Sequence, residues 1–248
     1  MRNNLKHLKI FAFTHHKLDV AKIGLLHIET EDQATKMRLV KQEFGIDEIM
    51  FLSTCNRVEF TIVSGNEISV EKFIKYLYPD LSDVLVQDFV LNIDEYKGEN
   101  AVSHSLSVAS SIESMIVGER EIITQVRNAF ELSNASGLTG DFLRLLIRQV
   151  IETAKKVYTQ TSIATKPVSV VSLAYHKLKK LNIPLDSRIL IIGSGATNSN
   201  MCKFLKKHGF SNFILFNRTL ANAEPLAKEL NAPYHPLSEL SSYKKGFD

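Results

Sequence analysis

Residues 188–198 read Arg-Ile-Leu-Ile-Ile-Gly-Ser-Gly-Ala-Thr-Asn, a β-branched apolar run that stops abruptly at glycine. Such a run suits a strand covered on both faces, as in a parallel sheet. A helix is expected next, running to His208 with Gly209 as its C-cap, and FILF at 213–216 supplies a further strand. Strand, glycine turn, helix and strand in that order make up part of a Rossmann-type doubly wound sheet. At the turn, Gly193, Ser194 and Gly195 leave backbone N–H groups open to a pyrophosphate, whose charge the helix dipole favours. Asn198 stands where the usual fingerprint has its third glycine, which normally serves close helix–strand packing. A glycine turn that binds nothing is the structural alternative. The second strand ends in Asn217-Arg218-Thr219, where an NAD enzyme would carry an acid for the ribose 2′-OH. Arg218 offers a cation to a 2′-phosphate instead, so NADPH is the expected cofactor. Asp248 follows soon after the stretch APYHPLSEL, and the chain is expected to be truncated within this domain.

Upstream the patterning differs. LKIFAF reads as a strand, Asp32 to Phe44 as a helix, and EIMFLS and VEFTIV as strands around a polar turn. From Asn100 apolar residues recur at helical spacing, as in Ile122, Ile123, Val126, Ala129 and Phe130, then from Leu143 to Val157, with Gly137 and Gly140 between the two runs. The expected fold is an N-terminal α/β plus helical catalytic domain followed by a Rossmann-type parallel-sheet domain. The expected boundaries are 1–160 (α/β 1–99, helical 100–160), a linker helix 161–182 with Pro167 in its first turn, and 183–248. Thr161 to Pro167 is a candidate hinge. At 248 residues with 44% apolar composition the chain can bury a sizeable core. No run reaches the roughly 18 apolar residues of a membrane span, and no leader pattern opens the chain, so a cytoplasmic location is expected. A net charge of +3 suits an anionic partner without demanding one.

Only two cysteines occur, without the paired spacing of a zinc site, and no metal is expected. Cys202 lies within the apolar pattern of the helix after Gly195 and reads as a small buried hydrophobe. Cys55 sits in a polar turn, Ser53-Thr54-Cys55-Asn56-Arg57, between two apolar runs. A thiol exposed there, two residues from a guanidinium, is expected to have a lowered pKa, and the thiolate is the reactive form. Glu59 has two open uses, pairing with Arg57 or binding a substrate ammonium. His104 by itself reads as a satisfied helix histidine near the core.

Ser53-Thr54-Cys55-Asn56-Arg57-Val58-Glu59 resembles the STCNRTE signature of glutamyl-tRNA reductases, with Val58 in place of threonine. Residues 114–126, Ser-Met-Ile-Val-Gly-Glu-Arg-Glu-Ile-Ile-Thr-Gln-Val, are similar to the family's S-L-V-x-G-E-x-Q-I-L-G-Q-V, and His15-His16-Lys17 to its N-H-K. GSGATN and NRT resemble its NADPH-binding half. The resemblance implies that Cys55 attacks the ester joining glutamate to tRNA, and that the thioester is reduced by NADPH to glutamate-1-semialdehyde, the first step of five-carbon tetrapyrrole synthesis. It implies catalytic roles for Cys55 and His104. Thr54, Asn56, Arg57, Glu59, Ser114, Glu119, Arg120, Glu121 and Gln125 would bind substrate, with Arg57 on the side-chain carboxylate. Arg120-Glu121 replaces the family's common Pro-Gln. Gly193, Ser194, Gly195, Ala196, Thr197, Asn198, Asn217, Arg218 and Thr219 would bind the cofactor.

The implied partners are glutamyl-tRNA, a second copy joined through a C-terminal helical region beyond this chain, and a glutamate-1-semialdehyde aminotransferase. Arg144, Arg148, Lys155 and Lys156 lie at helical spacings that form either a phosphate-following face or an ordinary solvated one. The competing functions are a shikimate-dehydrogenase-like NADP oxidoreductase, which gives Cys55 no task, and a non-catalytic tRNA-binding relative.

Overall fold

A computed structural model describes residues 5–164 and 170–247. Pro167, expected in the first turn of the linker helix, and the far end of the candidate hinge lie outside the described residues. The chain divides into two compact units, Met1–Lys166 and Pro167–Asp248.

The first unit is built on a four-stranded antiparallel sheet in the order β2-β3-β1-β4, from β1 (Leu8–Thr14), β2 (Glu48–Ser53), β3 (Arg57–Val63) and β4 (Asp94–Lys97). β1 and β3 are buried at every position, because helices cover both faces of the sheet. On one face Phe11, Phe13, Phe51, Phe60 and Ile62 pack with α1 (Val20–Leu25), α2 (Thr30–Glu43), α3 (Val70–Leu77) and α4 (Asp83–Asn92). Phe73 of α3 meets Phe60 edge-on at 5.0 Å and Phe11 at 5.5 Å. On the other face Ile10, Ala12, Met50 and Leu52 pack with α5 (Glu99–Ala109), α6 (Glu121–Ala135) and α7 (Asp141–Gln160). Period-two alternation therefore sends Val58, Phe60 and Ile62 to the first layer, and Arg57 and Glu59 towards the α5 side.

Side-chain caps fix where several helices begin. Asp19, Ser69 and Ser82 accept from the backbone of Lys22, Lys72 and Leu85. Helix α7 starts after Gly140 without a cap of its own, and a carboxylate from another element fills that role. Glu48 of β2, 9% exposed, accepts from Gly140 N at 2.7 Å, Leu143 N at 2.9 Å and Phe142 N at 3.2 Å. Those amides would otherwise be orphans, and the helix dipole favours an anion among them.

In the second unit β5 (Ile189–Ile192), β6 (Phe213–Asn217) and β7 (Tyr234–Pro236) form a parallel sheet in that order. Helices α8 (Val170–Lys180), α9 (Ala196–Lys207) and α10 (Leu220–Leu230) accompany it, and Cys202, Leu205, Phe213, Leu215, Leu226 and Leu230 form its core. The sheet agrees with the Rossmann-type expectation. Among the described residues no helix is long and apolar enough to cross a membrane.

Candidate active site

The turn between β2 and β3 is closed by its own backbone: Thr54 N donates to Arg57 O at 2.9 Å, and His15 N, just past β1, donates to Asn56 O at 3.0 Å. Asn56 N donates to Thr54 Oγ1 at 3.3 Å. Cys55 stands exposed at the head of this turn, with its Sγ donating to Asn56 Oδ1 at 2.5 Å. Cys202 is sealed in the second unit's core, and burial pushes its thiol up to about 11.

Arg57 does not do for Cys55 what the sequence suggested. Its guanidinium turns inward, where Nη1 donates to Glu59 Oε1 at 2.7 Å and Nη2 to the Glu113 carbonyl. The two side chains are 3% and 5% exposed. Of the two uses left open for Glu59, the structure shows the pairing with Arg57. The Cys55 thiol is raised, not lowered: partial desolvation is the largest cause, followed by the carboxylates of Glu119 and, more weakly, Glu121. The expectation of a lowered pKa fails because the sulfur is partly desolvated and two carboxylates act on it, while the Arg57 guanidinium is already paired with Glu59.

His104 projects from α5 and is 6% exposed. Its Nε2 lies 3.1 Å from the same Glu59 Oε1, and the Tyr96 ring of β4 stacks on the imidazole at 4.0 Å, 12° from parallel. Burial opposes a charge on Glu59, yet the His104 hydrogen bond, the His104 charge and the Arg57 charge together hold its carboxyl below the usual range. Two polar atoms beside this network, Thr14 Oγ1 and His15 Nδ1, are buried without a hydrogen-bond partner.

The segment between α5 and α6 bears the second candidate motif. Glu113 Oε2 approaches His16 Nε2 at 3.5 Å, and Tyr158 of α7 donates to Glu119 O at 2.6 Å. Gly118, at φ +90°, donates to Ser111 Oγ at 3.0 Å, and a Cβ added there would clash with the Ile163 carbonyl oxygen. Only glycine lets these backbones touch. Burial, and then Glu121, raise the Glu119 carboxyl, with Arg57 opposing. Ser114 is buried, while Arg120 and Glu121 are exposed and Gln125 is half-buried. Among the described residues Arg120 and Gln125 make no polar contact with the Cys55 turn. Sequence reasoning missed Tyr96, Glu113 and Tyr158: two act through backbone atoms or a ring face, which no residue-type signal announces.

The four basic residues of α7 do not form one free face. Arg144 pairs with Asp141 at 2.8 Å and Arg148 with Glu152 at 3.0 Å, which leaves Lys155 and Lys156.

In the second unit Ser194, Gly195, Asn217, Arg218 and Thr219 line a cleft of about 490 Å³ with Ala221, Asn222 and Pro225. A Cβ on Gly195 would meet no atom within 4 Å, so the approach to the turn is open. Ser194 N donates to Asn217 Oδ1 at 3.2 Å, tying the ends of β5 and β6. Asn198, in the third-glycine position, donates through Nδ2 to Ile192 O at 2.7 Å and Gly193 O at 3.0 Å. Its amide thus holds the turn from inside. Ala196 and Thr197 open α9 beside it. Arg218 is exposed at the end of β6, with no carboxylate within ion-pair distance among the described residues.

A Rossmann-type unit with a glycine turn, following an α/β unit that presents one exposed cysteine beside a buried Arg–Glu–His network, defines a two-part class of thiol-bearing proteins. Residues 11–161 match the family described as glutamyl-tRNAGlu reductase, N-terminal domain, and residues 172–248 match shikimate / quinate 5-dehydrogenase. The chain belongs to the glutamyl-tRNA reductase family. It is 35% identical over 226 residues to a glutamyl-tRNA reductase of Thermodesulfovibrio yellowstonii, covering 88% of this chain and 52% of that protein. It is 31% identical over 234 residues to one of Listeria welshimeri, covering 94% and 53%. The solved glutamyl-tRNA reductase from Methanopyrus kandleri superposes with a TM-score of 0.62 at 25% identity, covering 95% of this chain and 55% of that one. The chain thus spans about half the length of these relatives.

Proposed function

We propose that this chain carries the thiol and cofactor sites of an enzyme that reduces glutamyl-tRNA to glutamate-1-semialdehyde, the entry step of five-carbon tetrapyrrole synthesis. The observation that carries the reading is the exposed Cys55 at the head of a closed turn that runs directly into the buried Arg57–Glu59–His104 network.

As a thiolate, Cys55 Sγ attacks the ester carbonyl joining glutamate to the 3′-terminal ribose. The carbon–oxygen bond breaks, the ribose oxygen leaves with a proton, and a thioester remains on Cys55. Asn56 and Thr54 hold the turn that aims the sulfur. Arg57 is the counterion for the substrate's side-chain carboxylate, on the edge where the Glu113 carbonyl now accepts from Nη2. Glu59 is a positioning residue, because both Arg57 and His104 share its Oε1. His104 is the proton-handling group. Ser114, Glu119, Arg120, Glu121 and Gln125 line the glutamyl pocket.

The second unit fits a nicotinamide dinucleotide: the Gly195 approach is open, and Arg218 meets a 2′-phosphate where an acid would exclude it. When bound, NADPH supplies hydride to the thioester carbonyl. In the complete protein we assign dimerisation to a region outside this chain, and transfer of the aldehyde to an aminotransferase.

The test is incubation of the reduced protein with labelled glutamyl-tRNA. Label should appear on protein, vanish in Cys55→Ser and be released by hydroxylamine. A folded, reduced protein that takes no label sinks the reading. The match of residues 172–248 favours one rival, a shikimate-type NADP oxidoreductase, and shikimate-dependent NADPH formation without any labelling would establish it.

A further inference from the structure

The formal charge of +3 is unevenly divided. Residues 167–248 carry eleven Lys and Arg against five Asp and Glu, a net +6, whereas residues 1–166 carry nineteen against twenty-two, a net −3. The excess collects at one corner of the second unit. Lys177, Lys179 and Lys180 end α8, and Lys206 and Lys207 end α9. Tyr175 packs against Phe204 at 5.3 Å and His208 at 4.2 Å, which sets the last turns of the two helices side by side. Tyr175 and Leu178 face the core, as do Cys202 and Leu205, so helical geometry turns Lys177, Lys180 and Lys207 outward. All are exposed.

Glu229 takes Lys203 at 3.1 Å and, through its carbonyl, Lys206. Among the described residues Lys177, Lys179, Lys180 and Lys207 have no carboxylate partner. α8 leads into the start of β5 and α9 into the start of β6, so this corner lies at the edge of the parallel sheet opposite the glycine turn and Arg218. It is separate from the nucleotide cleft.

We propose that this lysine corner is a second contact surface for RNA, taking backbone phosphates of the tRNA. Four unpaired ammonium groups within the last turns of two adjacent helices displace condensed counterions from a polyanion, and that release drives binding. Flexible point charges suit a sequence-independent backbone contact. The inference rests on the glutamyl-tRNA reading given above and extends it to a surface that the thiol chemistry does not use.

The experiment measures binding of unacylated tRNA to the chain by fluorescence anisotropy across a salt series, with Lys177→Gln/Lys180→Gln/Lys207→Gln and Lys207→Gln alone. The triple variant should bind roughly ten-fold more weakly or worse, and its log K against log salt slope should shrink by about 2 to 3, with about a third of that change in the single variant. Unchanged affinity and slope overturn the proposal. So does a fall in melting temperature with unchanged tRNA binding, which would make these lysines helix-end charges only. Loss of binding to phosphatidylserine vesicles with intact tRNA binding would assign the corner to a membrane surface instead. Wild-type protein that binds tRNA through these lysines but takes no label on Cys55 defeats the reductase reading and leaves the surface standing. Labelling with no loss of tRNA binding in the triple variant does the reverse.

Discussion

Arg57 and Glu59, two residues apart on β3, form an ion pair of 2.7 Å beneath the Cys55 turn, with both side chains almost wholly shut off from water. Glu59 Oε1 also receives His104. Removing one member therefore strands a buried charge, which costs far more than a surface pair is worth.

Glu59→Gln should lower stability at neutral pH by about 3 kcal/mol or more. The Glu59 carboxyl is depressed in the folded protein, so its contribution is fully present above the unfolded-state value and fades as pH falls through the folded one. The gap between wild type and variant, read by urea unfolding, should narrow below about pH 4.3. A gap constant from pH 7 to pH 3 contradicts the assignment.

Cys55 should react slowly with iodoacetamide at neutral pH and faster as pH rises beyond the ordinary thiol value, since desolvation and then Glu119 and Glu121 disfavour the thiolate. Glu119→Gln removes the stronger of the two charges and should move the alkylation profile to lower pH. A profile that stays in place, or moves upward, would show that this carboxylate does not face the sulfur.

The glycine turn and the alternating strands were readable because they depend on local rules. RILIIGSG reads as a strand entering a helix, and β5 forms there, but the expected cover on both faces fails: only Ile191 is buried and Ile192 is half exposed. EIMFLS and VEFTIV lie where β2 and β3 form. The short edge strand DEYK carries no apolar signal and owes its form to pairing with β1, so nothing local marked it. At the site, the residue types around Cys55 were legible, but the direction of Arg57 was not. Two residues along a chain are neighbours in sequence, whereas strand alternation aims position 57 at the layer containing His104 and away from the exposed sulfur. That depends on which helices cover which face, a long-range fact.

Glu48→Gln should cost about 1 to 3 kcal/mol, because the start of α7 loses an anion that three of its amides share. Circular dichroism melts of the variant should show it. A melting temperature equal to wild type would mean that water replaces the cap without penalty.

Gly118→Ala should be poorly tolerated: its φ of +90° disfavours a side chain, and the new methyl would overlap the Ile163 carbonyl. The expected loss is about 1 to 3 kcal/mol, with slower covalent labelling of Cys55 as the Glu119 segment shifts. Wild-type labelling and stability would show that this backbone approach is dispensable.

Arg218→Ser should weaken NADPH far more than NADH, by roughly ten-fold in their ratio, through loss of a charge-assisted contact to the 2′-phosphate. Nicotinamide fluorescence titration checks this, and an unchanged ratio would remove Arg218 from cofactor selection.

One sulfur stands exposed at the head of a turn and the other is sealed in a core. The native chain therefore offers a single address to a soft electrophile. A maleimide dye added under gentle conditions will mark Cys55 alone, and two molecules left in air can be joined through only that position, so a covalent dimer on a non-reducing gel is a signature of a spent Cys55 thiol and not of assembly.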